Sequence, residues 1–343
     1  MKILIQLFSL LSTVLYISYS QAVEVVFFWG NSATPPIDIS GSDWIEPSPS
    51  YMSAAANARY GRLGNGDYVF DHSAFPDDEA ISAAVLMKPY GSDALCNVRY
   101  VYEALCYDRN GNYKNTRFLY FWVRATAEEA DLLSYGRVGV HGGYPGLYQF
   151  GEYQEGGVTQ IGTGLYDVYL GEAASTESSV QVQESDVHGS NIACNPLWWS
   201  GGRVRVQCTH REGNFRVDSG FRLIAASGRK RVNHNRALFD VATQRLYGTR
   251  PRLDYSFSQA SDNSSQTVSR TGVGRYLLTL GPSANPEGHV QVTAMASDSS
   301  ECHVLGFGGG NVSIACTLNG NAVDVPFTVM GATPLTGSIY PRP

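Results

Sequence analysis

Three copies of one short pattern constrain this chain more than any other feature. Gly64-Asn65-Gly66-Asp67-Tyr68, Gly162-Thr163-Gly164-Leu165-Tyr166 and Gly272-Val273-Gly274-Arg275-Tyr276 each read G-x-G-x-Y and run into residues of strand character. From the second glycine to the next cysteine is 30, 30 and 28 positions, and to a later phenylalanine 52, 57 and 53. That phenylalanine closes Asn115-x-x-Phe118, Asp218-x-x-Phe221 and Asp324-x-x-Phe327. Coincident landmarks at a fixed period mark one folding unit used repeatedly.

The unit is β-rich. Aromatic residues make up 12% of the chain, Gly counts 36, and charged residues are only 16%. That balance suits strands joined by turns and works against long surface helices or disorder. The expectation is an all-β protein: three tandem antiparallel β-sandwich, jelly-roll-like repeats of about 100 residues each. They are placed at 23–124, 125–228 and 229–330, after a signal peptide at 1–22 and before a C-terminal tail at 331–343. The repeats either lie in a row or close into a pseudo-threefold head. One helix is expected in the first linker, from Ala125 to Leu133, where Ala, Glu and Leu fall at helical spacing.

Lys2, the apolar run Ile3 to Ile17 and the small residues of Ser20-Gln21-Ala22 compose the secretory signal, cut after Ala22. The run is short for a membrane span, so no span is expected in the mature chain, which is secreted, extracellular or periplasmic. Losing Lys2 leaves 24 basic against 31 acidic side chains. An acidic surface exerts no pull on phosphates, which excludes nucleic acid as a partner. The cluster Arg229-Lys230-Arg231 reads as a solvated linker.

Six cysteines fall as one pair per repeat in a secreted chain, which selects the disulfides Cys96–Cys106, Cys194–Cys208 and Cys302–Cys316. Zinc is disfavoured, because no C-x-x-C spacing exists and no histidine recurs beside the pairs. The motif glycines imply tight backbone geometry, and a following strand rather than a helix rules out a dinucleotide fingerprint. The motif tyrosine is read as a packing residue with its hydroxyl at the rim. Asp218 and Asp324, with Asn115 in the first copy, are read as turn residues capping their own backbone rather than as calcium ligands.

No G-x-S-x-G, H-E-x-x-H or P-loop is present, and the seven histidines share no repeat position. The expected role is therefore non-enzymatic, structural or binding, with no cofactor and no metal. The alternative is a secreted hydrolase acting on polysaccharide through a dispersed acid pair. Trp198 is the candidate binding residue. Five positions past the first cysteine, Trp199 and Phe307 share an aromatic slot suited to the core; one position earlier Trp198 stands against Gly306. Adjacent strand residues face opposite sides, so Trp198 points outward, toward an inter-domain contact or a sugar ring. Asn263 and Asn311 begin N-glycosylation sequons.

Gly272-x-Gly274-x-Tyr276, His289-Val290-Gln291-Val292-Thr293-Ala294, Cys302, Cys316 and Asp324-x-x-Phe327 together resemble a β-sandwich repeat of secreted bacterial proteins. That repeat is distantly similar to the jelly-roll heads of C1q-like proteins. The resemblance implies a secreted binding or structural role, with a protein or a glycan as partner.

Overall fold

The computed structural model describes residues 24–30, 59–71, 84–92, 94–100, 103–124, 133–141, 144–150, 157–175, 177–185, 191–228, 237–247, 250–260, 262, 264–285 and 288–334. The signal segment, the helix expected over 125–132, the basic cluster at 229–231 and Asn263 lie outside them. Leu133, the last residue of that expected helix, opens a strand instead. No helix among the described residues is long and apolar enough to cross a membrane.

Among the described residues the first unit has β1 (Glu24–Gly30), β2 (Arg59–Gly64), β3 (Asp67–Asp71), β4 (Ala84–Pro89), β5 (Leu95–Tyr100), β6 (Glu103–Tyr107) and β7 (Phe118–Arg124). The second has β8 (Leu133–His141), β9 (Tyr144–Phe150), β10 (Val158–Gly162), β11 (Leu165–Tyr169), β12 (Ser178–Glu184), β13 (Ile192–Ser200), β14 (Arg203–His210) and β15 (Phe221–Ser227). The third has β16 (Ala237–Tyr247), β17 (Arg250–Leu253), β18 (Thr267–Gly272), β19 (Arg275–Thr279), β20 (His289–Ala294), β21 (Glu301–Gly308), β22 (Asn311–Leu318), β23 (Asn321–Ala322) and β24 (Phe327–Pro334). The last strand continues into the stretch read as a tail.

Each unit is two antiparallel sheets face to face. The outer sheets run β2-β3-β6-β5, β10-β11-β14-β13 and β18-β19-β22-β21, one order used three times. The inner sheets run β1-β7-β4, β9-β8-β15-β12 and β17-β16-β24-β20, with β9 and β17 as added edges. The cysteines are cross-strand partners in β5/β6, β13/β14 and β21/β22, and all three disulfides are formed, with Cα–Cα distances of 4.0, 4.0 and 4.1 Å.

The paired motifs meet in space. Gly66, Gly164 and Gly274 hold φ of 68°, 61° and 60°, the left-handed region in which glycine alone is unstrained. A Cβ at each would clash with the carbonyl of Cys106, Cys208 or Cys316. The approach is close because the amides of those cysteines donate to the glycine carbonyls at 2.7, 2.8 and 2.7 Å. The glycine amides in turn donate to Asn115 Oδ1, Asp218 Oδ1 and Asp324 Oδ1 at 2.7, 2.6 and 2.9 Å. The aspartates thus cap a remote glycine turn, where the sequence suggested their own backbone. The tyrosine rings are buried, and the hydroxyls of two reach the edge of the sandwich: Tyr166 and Tyr276 donate to the solvent-facing Asp218 and Asp324 at 3.2 and 2.9 Å, while Tyr68 donates to the Thr116 carbonyl at 3.0 Å.

The closing strands β7, β15 and β24 explain how three sandwiches become one body. Phe118, Tyr120 and Trp122 alternate into the first unit's own core; Phe221, Leu223 and Ala225, and then Phe327 and Val329, do the same in the others. The intervening residues Phe121, Val123, Ile224, Ala226, Met330 and Ala332 face the opposite way, into a fourth apolar cluster shared by all three units. A strand buried on both faces needs apolar side chains at both parities. Contacts run in a ring: β4 packs on β15, β12 on β24, and β20 on β7. The arrangement is the closed one rather than a row.

Buried polar groups fix its register. Ser179 and Thr328 share a hydrogen bond of 2.7 Å, Thr293 donates to Gln181 Oε1 at 2.8 Å, and the Met87 amide donates to Gln183 Oε1 at 2.8 Å. His289 stacks on Phe121 with centroids 5.0 Å apart, and burial lowers its pKa to about 3, so the ring stays neutral.

Candidate functional site

The second unit carries on its outer sheet a constellation not seen among the described residues of the other two. A bulge in β13 between Pro196 and Trp198 resets the register, so that Trp198 stands opposite Arg205 and Trp199 opposite Val204. Such bulges redirect side chains. Trp199 turns into the core, where it meets Phe257 edge-on at 5.4 Å. Trp198 turns out and remains half-buried, its ring 5.0 Å from the Arg205 guanidinium carbon. A guanidinium over an indole face is a favourable cation–π arrangement.

Arg205 is fixed from its other side. Across the β11/β14 ladder, Nε and Nη2 donate to the two carboxylate oxygens of Asp167 at 2.7 and 2.8 Å. Bidentate pairing restricts the guanidinium to one plane. The same bonds hold Asp167 below the usual carboxylate range, Arg205's hydrogen bonding being the leading cause. Tyr169, two residues along β11 on the same face, is exposed and stands opposite Arg203. The open half of the sheet thus offers an indole, a guanidinium, a carboxylate and a phenol.

The other half is covered. Asn195 Nδ2 donates to the carbonyls of Asp298 and Ser300 in the third unit, at 3.2 and 2.8 Å, and Gln207 Nε2 donates to the Ser297 carbonyl. The inter-domain contact that the sequence allowed for Trp198 is made by these two residues, while Trp198 packs on its own unit.

Sequence reading found Trp198 and missed Asp167 and Arg205. A signal for them existed. The register pairs Val69 with Glu103 in the first unit, Asp167 with Arg205 in the second and Leu277 with Ser313 in the third. Only the second combination is a complementary charge pair, and it lies beside the extra tryptophan. The sequon residue Asn311 donates to the Gly309 carbonyl at 3.0 Å and accepts from the Thr279 hydroxyl at 3.0 Å.

Comparison with protein-family models, with curated proteins and with solved structures returned no match.

Proposed function

We propose that this is a secreted, non-enzymatic binding protein that holds a carbohydrate against the Trp198 face of its second unit. One observation carries the reading: an outward indole, braced by Arg205, which is itself clamped by Asp167. A sugar ring has an apolar C–H face and a rim of hydroxyls. An indole matches the first, and a guanidinium–carboxylate pair offers donors and acceptors to the second. Because both charged groups are already held, little side-chain freedom is lost on binding. Three disulfides and an N-terminal apolar segment suit a chain that works outside the cell.

The test is a glycan array probed with the mature chain, followed by titration of the best saccharide. At least one saccharide class is expected to bind, and Trp198→Ala to weaken it about tenfold, as for a stacking contact of about 1.4 kcal/mol. A blank array, or a Trp198→Ala protein that binds as tightly as the parent, removes the proposal.

A further inference from the structure

Where the three units meet, a cavity of about 60 Å³ remains, bordered by Cys96, Cys194 and Cys302. It is large enough for roughly four waters. Its ionisable wall consists of Lys88 from β4, Arg109 beyond β6, Glu184 from β12, Arg211 beyond β14, and Glu301 and His303 from β21. Every unit contributes, and no single unit contains the set.

Lys88 and Arg211 carry donors there that no described residue accepts. An ammonium carries three donors, and Lys88 Nζ spends one on the Val182 carbonyl at 2.9 Å. Arg211 donates through Nε to the Ile192 carbonyl at 3.2 Å and meets Glu301 through Nη2 at 2.7 Å, while its Nη1 is buried with no partner among the described residues. Three cationic side chains face two carboxylates. Burial lowers the Lys88 pKa to about 8, outweighing the opposing pull of Glu301 and Glu184. Its positive charge is therefore under-compensated where it sits. Such a group is costly to bury unless a counter-charge or further acceptors reach it.

The geometry points to a binding site in this cavity for a small inorganic anion of halide size, held between Lys88 Nζ and Arg211 Nη1. The anion accepts from the donors that the protein leaves unspent and offsets the excess positive charge. Lys88 belongs to the first unit, Arg211 to the second and Arg211's partner Glu301 to the third, so the ion pins all three together. Binding to the closed arrangement alone then stabilises it by linkage.

Bromide is the probe. Crystals of the mature protein soaked in sodium bromide should show an anomalous peak within hydrogen-bonding reach of both nitrogens. In solution, replacing sodium gluconate by sodium bromide at constant ionic strength should raise the unfolding midpoint of the parent protein along a saturating curve. Lys88→Met and Arg211→Gln should each abolish that rise. A cavity holding only water in the anomalous map overturns the site, as does an unchanged bromide response in both variants. Should neither variant fold, the map of the parent protein decides alone. Neither readout involves Trp198, so this inference and the carbohydrate reading stand or fall separately.

Discussion

In the third unit Asp324 accepts from the Gly274 amide and the Tyr276 hydroxyl, and Arg270 clamps it at 3.0 Å through Nε and 2.8 Å through Nη2. In the first unit Asn115 accepts from the Gly66 amide, Tyr68 turns instead to the Thr116 carbonyl, and Arg62, at Arg270's register position, has a buried Nε with no partner among the described residues. The second unit lies between them, with Asp218 accepting from Gly164, Tyr166 and Gln160. The glycine turn and its acceptor are thus common to all three, while the charge and its arginine vary. A buried donor left without an acceptor costs about 1–3 kcal/mol, whereas a partly exposed ion pair contributes about 0–1. The invariant part is the one with the larger penalty.

Four perturbations probe that contrast. The largest effect is expected from Gly274→Ala, which forces a Cβ against the Cys316 carbonyl at a φ of 60°. A loss of about 3 kcal/mol or more should appear in urea unfolding. Gly66→Ala should cost as much despite the missing charge in its unit. Gly272→Ala, whose Cβ would meet only the Arg275 side chain at 3.7 Å, should cost under about 1 kcal/mol. Equal costs at 272 and 274 would refute the steric account.

Next in size is the staple. Replacing Cys302 and Cys316 together by Ala opens a bridge of sequence separation 14, with an expected loss of about 3 kcal/mol in the chain-entropy model. The Cys96–Cys106 bridge spans 10, and its removal should cost about 0.3 kcal/mol less by the same logarithm. A reversed ranking in calorimetry would show that the unit around the bridge, rather than its span, sets the value.

Asp324→Asn converts the third unit toward the first. The acceptor for Gly274 survives and the ion pair is lost, so the cost at pH 7 should be at most about 1 kcal/mol after solvent screening. Hydrogen bonding from Arg270 is the leading cause that holds the Asp324 carboxyl below its ordinary value. A depressed carboxylate stabilises the fold above its unfolded pKa of about 3.9 and loses that contribution as pH falls through the folded pKa. Acid unfolding of the variant should therefore lack this part of the slope; an identical acid limb would mean that Arg270 contributes nothing. The smallest effect is the converse change. Asn115→Asp supplies Arg62 with a carboxylate and should raise stability by about 0.5 kcal/mol or less. No shift in the urea midpoint would show that Arg62 cannot reach position 115.

Much of the architecture was readable because its causes are local. A glycine that must take positive φ, a cysteine pair recurring in step and an alternating aromatic strand each announce their geometry in a few residues. Trp198 was singled out by matching Trp199 to Phe307 as one aromatic slot; strand parity counted from Cys194 would have turned the wrong tryptophan outward, because the bulge between Pro196 and Trp198 shifts the register. The partners of those groups were not readable. Asp218 and Asp324 looked like self-capping turn residues, because nothing nearby in the chain says that a glycine amide 54 or 50 positions earlier will present itself.

The chain's order of residues dictates strands, turns and cystines, since each follows from steric and covalent rules acting over a few positions. The triplicate pattern extends that to a unit and its number of appearances. Strand pairing within each unit, and then closure of the three units, dictated the rest. Asp167 meets Arg205 only because β11 lies beside β14, and Lys88, Arg211 and Glu301 share a cavity only because the three units pack against one another. Such meetings depend on which distant surfaces bury the most apolar area together, a property of the whole packed chain and of no segment within it.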